Sequence, residues 1–137
     1  MTGVQRTGHT AAMMIAAIFL CTANASAKLP SSCIADLQKD YGAAPAIHME
    51  CASKTDCLFQ APTGNASALV LLGTVIRRAE SCLDEAGLRK TKEEKSEGIT
   101  RFYGAPGAAE QCALLTAPAT DLPEGVRLVC TQAKLRP

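Results

Sequence analysis

The chain has 137 residues, with 14 Lys and Arg against 13 Asp and Glu and a formal net charge of +1. That near balance removes the electrostatic drive that nucleic acid or an anionic membrane surface would require, so neither is expected as a partner. Seven cysteines and no tryptophan point instead to a small chain held by covalent staples.

In chain order, residues 1–27 have the pattern of an export signal. Arg6 precedes an apolar run from Ala11 to Cys21, and "ASA" at 25–27 supplies the small residues of a cleavage site. The run is shorter than the roughly 20 residues a spanning helix needs, so no stable membrane anchor is expected. Leu20 before Cys21 is too large for lipoprotein processing. Cleavage near Ala27 leaves a single domain, 28–137, of 137 less 27, or 110 residues. It removes Arg6 and no acid, so 13 basic residues balance 13 acidic ones. Cys21 leaves with the signal. Six cysteines remain: Cys33, Cys51, Cys57, Cys82, Cys112 and Cys130. An even count in an exported chain of this size reads as a disulfide framework in a periplasmic or secreted, bacterial protein.

"PSSCIADLQKDYG" predicts a short helix, with Ser31 or Ser32 as cap, Ile34, Leu37 and Tyr41 on one face, and Gly42 as stop. "AIHMEC" alternates, placing Ile47, Met49 and Cys51 on one face and His48 and Glu50 on the other. "CLFQAP" follows as its hairpin partner. "NASALVLLGTVIRRAESCLDEAG" carries the strongest helical pattern, with Leu69, Leu72, Ile76, Ala79 and Leu83 in one stripe widened by Val75 and Cys82. Arg77, Arg78, Asp84 and Glu85 mark its wet side. "LRKTKEEKSEG" reads as a charged, solvated connector.

Three further strands are expected at "ITRFYG", "QCALLT" and "GVRLVCT". A hairpin around Asp121 would oppose Cys112 with Cys130 and Leu114 with Leu128, putting both cysteines on one face within bonding reach. The expected fold is α+β: an antiparallel sheet of about four to five strands, packed by one long helix and a short N-terminal helix, and stapled by disulfides. The pairs considered are Cys51–Cys57, Cys112–Cys130 and Cys33–Cys82, one set among the 15 or so connectivities that six cysteines allow. On the chain-entropy account these loops stabilise by about 2.4, 3.2 and 4.1 kcal/mol respectively. The 51–57 bridge is thus the weakest global staple, and its main effect is to fix the shape of "ASKTD".

The residues that could carry chemistry are sparse. The only close cysteine pair has five residues between its members, not the two to four of a zinc site, and Cys-x-x-Cys is absent. No metal or cofactor is therefore expected. His48, the one histidine after the signal, stands two residues from Glu50, and a small periplasmic hydrolase would have to use this pair. No serine lies in a Gly-x-Ser-x-Gly setting. Glu50, Asp56, Glu80, Glu110 and Glu124 are too ordinary a set of acids to mark a glycosidase. "GAPG" at 104–107 lacks the lysine of a phosphate loop and reads as a turn. Tyr41, Phe59, Phe102 and Tyr103 are the only aromatic residues after the signal, too few for a stacking platform. Phe102 and Tyr103 point to opposite sides of their strand. Tyr103, near Arg101, is a candidate contact.

The stretch "CASKTDCLFQAP" is similar to the short Cys-to-Cys loop that periplasmic inhibitors of vertebrate-type lysozyme project. Those loops carry a histidine where Lys54, Thr55 and Asp56 stand here, and they differ in spacing by one residue. The resemblance implies a stapled loop offered to a partner's cleft. The leading expectation is a small exported, non-catalytic protein that binds a protein or another envelope macromolecule through loop 51–57, with Lys54, Thr55 and Asp56 in contact. The alternatives are the His48/Glu50 hydrolase and a structural envelope protein with no discrete site.

Overall fold

In the computed structural model, residues 28–120 and 122–133 are described; the expected signal segment and Asp121 lie outside them. Helix α1 covers Ser32–Tyr41, strand β1 His48–Ser53, strand β2 Asp56–Gln60 and helix α2 Ala66–Glu85. Strands β3 (Arg89–Lys95), β4 (Ile99–Gly104), β5 (Glu110–Ala117) and β6 (Gly125–Gln132) complete the chain. The α+β class and the disulfide staple are as expected. The strand count is not: one antiparallel sheet of six strands runs in the order β1-β2-β6-β5-β4-β3.

The additional strand is β3, the stretch expected to be a connector. Every residue of "RKTKEEK" is exposed, so no apolar alternation announces it. Its pairing comes from β4, with Lys92 opposite Phe102 and Glu93 opposite Arg101. Charged side chains, lysine above all, are what a sheet edge carries to discourage further pairing. Here they end the sheet. Cross-strand and local pairs, Arg101 to Glu93 at 3.2 Å and Lys90 to Glu93 at 3.3 Å, hold it in register.

Both helices lie on one face of the sheet. Ile34 and Leu37 of α1, and Leu72, Val75, Ala79 and Leu83 of α2, share a core with Phe59, Leu114, Val126 and Leu128. None of these side chains is more than 1 % exposed. At 20 residues, α2 runs about 30 Å and spans the sheet. Asn65 caps it, its side chain accepting from the Ala68 N–H at 3.0 Å, and Gly87, at φ 88°, turns the chain beyond its last turn. Helix α1 is capped differently from expectation. The side chain of Ser31 makes no cap; its N–H donates to Glu110 Oε1 at 2.9 Å, tying the helix start to β5.

The disulfides are Cys33–Cys82, Cys51–Cys57 and Cys112–Cys130, with Cα separations of 5.7, 4.0 and 4.1 Å. The first joins the helices to each other, and the other two link opposed residues of neighbouring strands on the helix-covered side. Gln38 of α1 reaches the 51–57 bridge, its Nε2 donating to Cys51 Sγ at 3.1 Å. Three such bonds belong to a chain that matures in an oxidising compartment. No helix among the described residues is long and apolar enough to cross a membrane.

Candidate functional site

The side of the sheet opposite the helices has no covering layer among the described residues. Because side chains alternate along a strand, the register of the sheet fixes its rows. One row runs Glu50, Leu58, Arg127, Leu115, Thr100, Glu94 across β1, β2, β6, β5, β4 and β3. The next contains Asp56, Val129, Ala113, Phe102 and Lys92. On the other side of the first, the row is His48, Gln60, Gly125 and Ala117. Leu58, Phe102, Ala113, Leu115 and Val129 are half-buried there by their own neighbours. The face is therefore a strip of half-buried apolar side chains interrupted by Arg127, which stands between Leu58 and Leu115, with further charges at its margins.

Three hollows open on this strip. The largest, about 530 Å³, lies over Gly125, with Leu58, Leu115 and Arg127 beneath and Glu97 and Glu124 at its rim. A second of about 260 Å³ lies by Glu50, Ala52 and Asp56, and shares Leu58 and Arg127 with the first. A third, also about 260 Å³, sits over Phe102, Ala113 and Val129 at the far end. The first falls within the size range of small-ligand sites, roughly 300–1,000 Å³.

The loop residues expected to make contact fall into different roles. The β1–β2 register slips between Cys51 and Ser53, so Ala52 bulges and Lys54 and Thr55 form the tip. Lys54 is exposed, with no ion-pair partner among the described residues. Thr55 is tied inward, because its carbonyl accepts from the Cys130 N–H at 2.9 Å and its side chain meets Ser53 Oγ at 3.2 Å. Asp56 points onto the open face and takes both arms of Arg127, from Nε at 2.8 Å and Nη2 at 2.6 Å. The hydrogen bond from Arg127 holds the Asp56 carboxyl below its ordinary value, against the opposing effect of desolvation. The guanidinium is correspondingly harder to deprotonate.

Tyr103 does not stand at the surface. It is 7 % exposed, inside the core under α2, and its hydroxyl donates to Glu80 at 3.3 Å. Burial first, then the Glu80 charge, pushes its phenol up to about 12. The outward aromatic of the pair is Phe102, with the Lys92 ammonium 5.9 Å from its ring centroid. His48 and Glu50 share the open face of β1, both exposed, and no hydrogen bond joins them. Among the described residues no three His, Cys, Asp or Glu side chains converge as a metal site would need.

Sequence reasoning passed over Leu58, Leu115, Gly125 and Arg127. A signal was present, because "ALL" at 113–115 and "LVC" at 128–130 interrupt the alternation with apolar residues on both faces. Such strands are apolar on the side away from the helices as well. No family model, no curated protein and no solved structure matches the chain. The geometry of the open face must therefore carry the functional reading.

Proposed function

We propose that this is an exported, non-catalytic protein of the periplasm or the extracellular space that binds another polypeptide. Its contact surface is the helix-free face of the sheet, with the Lys54 tip at one corner. One observation carries the reading. A six-stranded sheet packs both helices on one face, and the other face, uncovered among the described residues, carries half-buried apolar side chains around the Asp56–Arg127 pair and is hollowed in three places. Apolar side chains on an uncovered face, rimmed by polar ones, are a common feature of interaction sites. Staples and helices on the opposite side hold the face rigid, which lowers the ordering cost of binding.

The test is retention of a polypeptide from cell-envelope extract on the immobilised protein, compared across variants that melt within a few degrees of the wild type. Leu58→Asp with Leu115→Asp should abolish retention, because it places charge in the apolar strip. Lys54→Gly should weaken it. If both variants retain the same polypeptide as the wild type, the open face is not the contact surface and the reading is wrong.

A further inference from the structure

The hollow over Gly125 contains two features that neither folding nor sheet pairing accounts for. The first is the glycine itself. Gly125 pairs with Gln60 on one side and Ala117 on the other, in the middle of the row. Its φ is not positive, unlike those of Gly64, Gly87 and Gly107. A Cβ built on it would meet its nearest atoms, Phe59 O, Ala117 O and Leu58 Cδ1, at 3.9 to 4.0 Å, which is ordinary contact. Neither backbone conformation nor crowding excludes a side chain, and a glycine weakens a strand. What its missing side chain leaves is the floor of the hollow.

The second feature is unbalanced charge. Among the described residues every side-chain carboxylate has a hydrogen-bond or ion-pair partner except Glu50, Glu97 and Glu124. All three line hollows on the open face. Arg127 is the one cation lining the Gly125 hollow, and Asp56 occupies its guanidinium. Among the described residues, therefore, no cation pairs with Glu97 or Glu124. Their backbones are fixed, since the Ala119 N–H donates to the Glu97 carbonyl at 3.0 Å and the Glu124 N–H to the Ala117 carbonyl at 2.8 Å. With no third ligand converging, the complement is an organic cation with an apolar stem rather than a metal ion.

We propose that this hollow receives a lysine or arginine side chain of a partner polypeptide, its aliphatic stem on Leu58 and Leu115 and its charge between Glu97 and Glu124. The assignment rests on the open-face reading above and narrows it to a basic, amphipathic segment. A polypeptide fits better than a free amine because the neighbouring hollow shares Leu58 and Arg127 and presents Glu50 to a second basic residue. Long basic side chains suit such a site, since the stem covers apolar surface while the head stays at the charged rim.

The experiment is a titration of the 15N-labelled protein, followed by amide shifts. The probe is acetyl-Ala-Leu-Lys-Ala-Lys-Leu-amide, with its Glu-for-Lys counterpart and n-butylamine as controls. The basic peptide should shift the amides of Glu97, Leu115 and Gly125, and the acidic peptide should not. Gly125→Val should raise the floor of the hollow under the stem and weaken the shifts while leaving the melting temperature the same or higher. Glu97→Gln with Glu124→Gln should weaken the peptide about tenfold, the size expected of two solvent-facing ion pairs.

Equal binding of the acidic peptide, absence of shifts with the basic one, or indifference to the Glu→Gln pair would overturn the cation assignment. Shifts from n-butylamine with no preference for the peptide would overturn the polypeptide assignment. The open-face reading fails separately, only if the Leu58→Asp, Leu115→Asp and Lys54→Gly variants leave polypeptide retention from extract intact.

Discussion

Leu114 and Leu115 are neighbours in one strand, yet they belong to two different surfaces. Leu114 is fully enclosed beneath α2, whereas Leu115 lies half-buried on a face that nothing in the described chain covers. The same contrast holds across the sheet. On one side are both helices, all three disulfides and the closed core. The other side carries an apolar strip, the Asp56–Arg127 pair and three glutamates that have no partner among the described residues. Stability is concentrated on the first side, and the second is the proposed contact surface.

The largest expected effect tests the covered side. Replacing Cys33 and Cys82 together with alanine should lower unfolding free energy by about 4 kcal/mol, read from urea titration, whereas removing the Cys51–Cys57 pair should cost about 2.4. A reversal of that order would mean that the tip bridge, and not the helix bridge, holds the fold. Next, Leu114→Ala should cost about 3 kcal/mol and Leu115→Ala under about 1. Equal losses in calorimetry would make the open face a second core and remove the contrast.

Tyr103→Phe should cost about 1 kcal/mol by deleting the hydroxyl's bond to Glu80. The wild type should lose stability as pH rises from the phenol's ordinary 10.0 towards about 12, because the folded chain holds that proton more tightly than the unfolded one. In the Phe variant this alkaline decline should flatten. The smallest effect belongs to the open face. Asp56→Asn should cost at most about 1 kcal/mol near neutral pH. Because Arg127 lowers the Asp56 pKa, that contribution is present above the ordinary 3.8 and disappears as pH falls through the lowered value. Wild type and variant should therefore converge in acid melts. A difference that persists there would show that the carboxylate acts through something other than its charge.

Much of the covered side could be read from sequence. The stripe of Leu72, Val75, Ala79 and Leu83 defines α2, and the alternation of Cys112 with Leu114 and of Leu128 with Cys130 sets the β5–β6 register as found. Such patterns are visible because burial imposes a period on apolar residues. Strand β3 was not legible, since a fully exposed edge imposes none. The burial of Tyr103 was not legible, because strand alternation separates it from Phe102 without saying which of the two the helix covers. The loop at 51–57 was legible as a closed hairpin, but the loss of Asp56 to Arg127 depends on a strand more than sixty residues later in the chain.

The sequence by itself determined the segments, their amphipathic faces and a covalent framework, because each follows from local periodicity and from cysteine count. Only the tertiary structure decided where the helices lie, and with that which face the described residues leave uncovered. It also brought Gly125, Leu58 and Leu115 around one hollow and left Glu97 and Glu124 at its rim without partners among the described residues. These residues come from four separate segments. Their meeting depends on strand order, and strand order is set by how the whole sheet closes over its core.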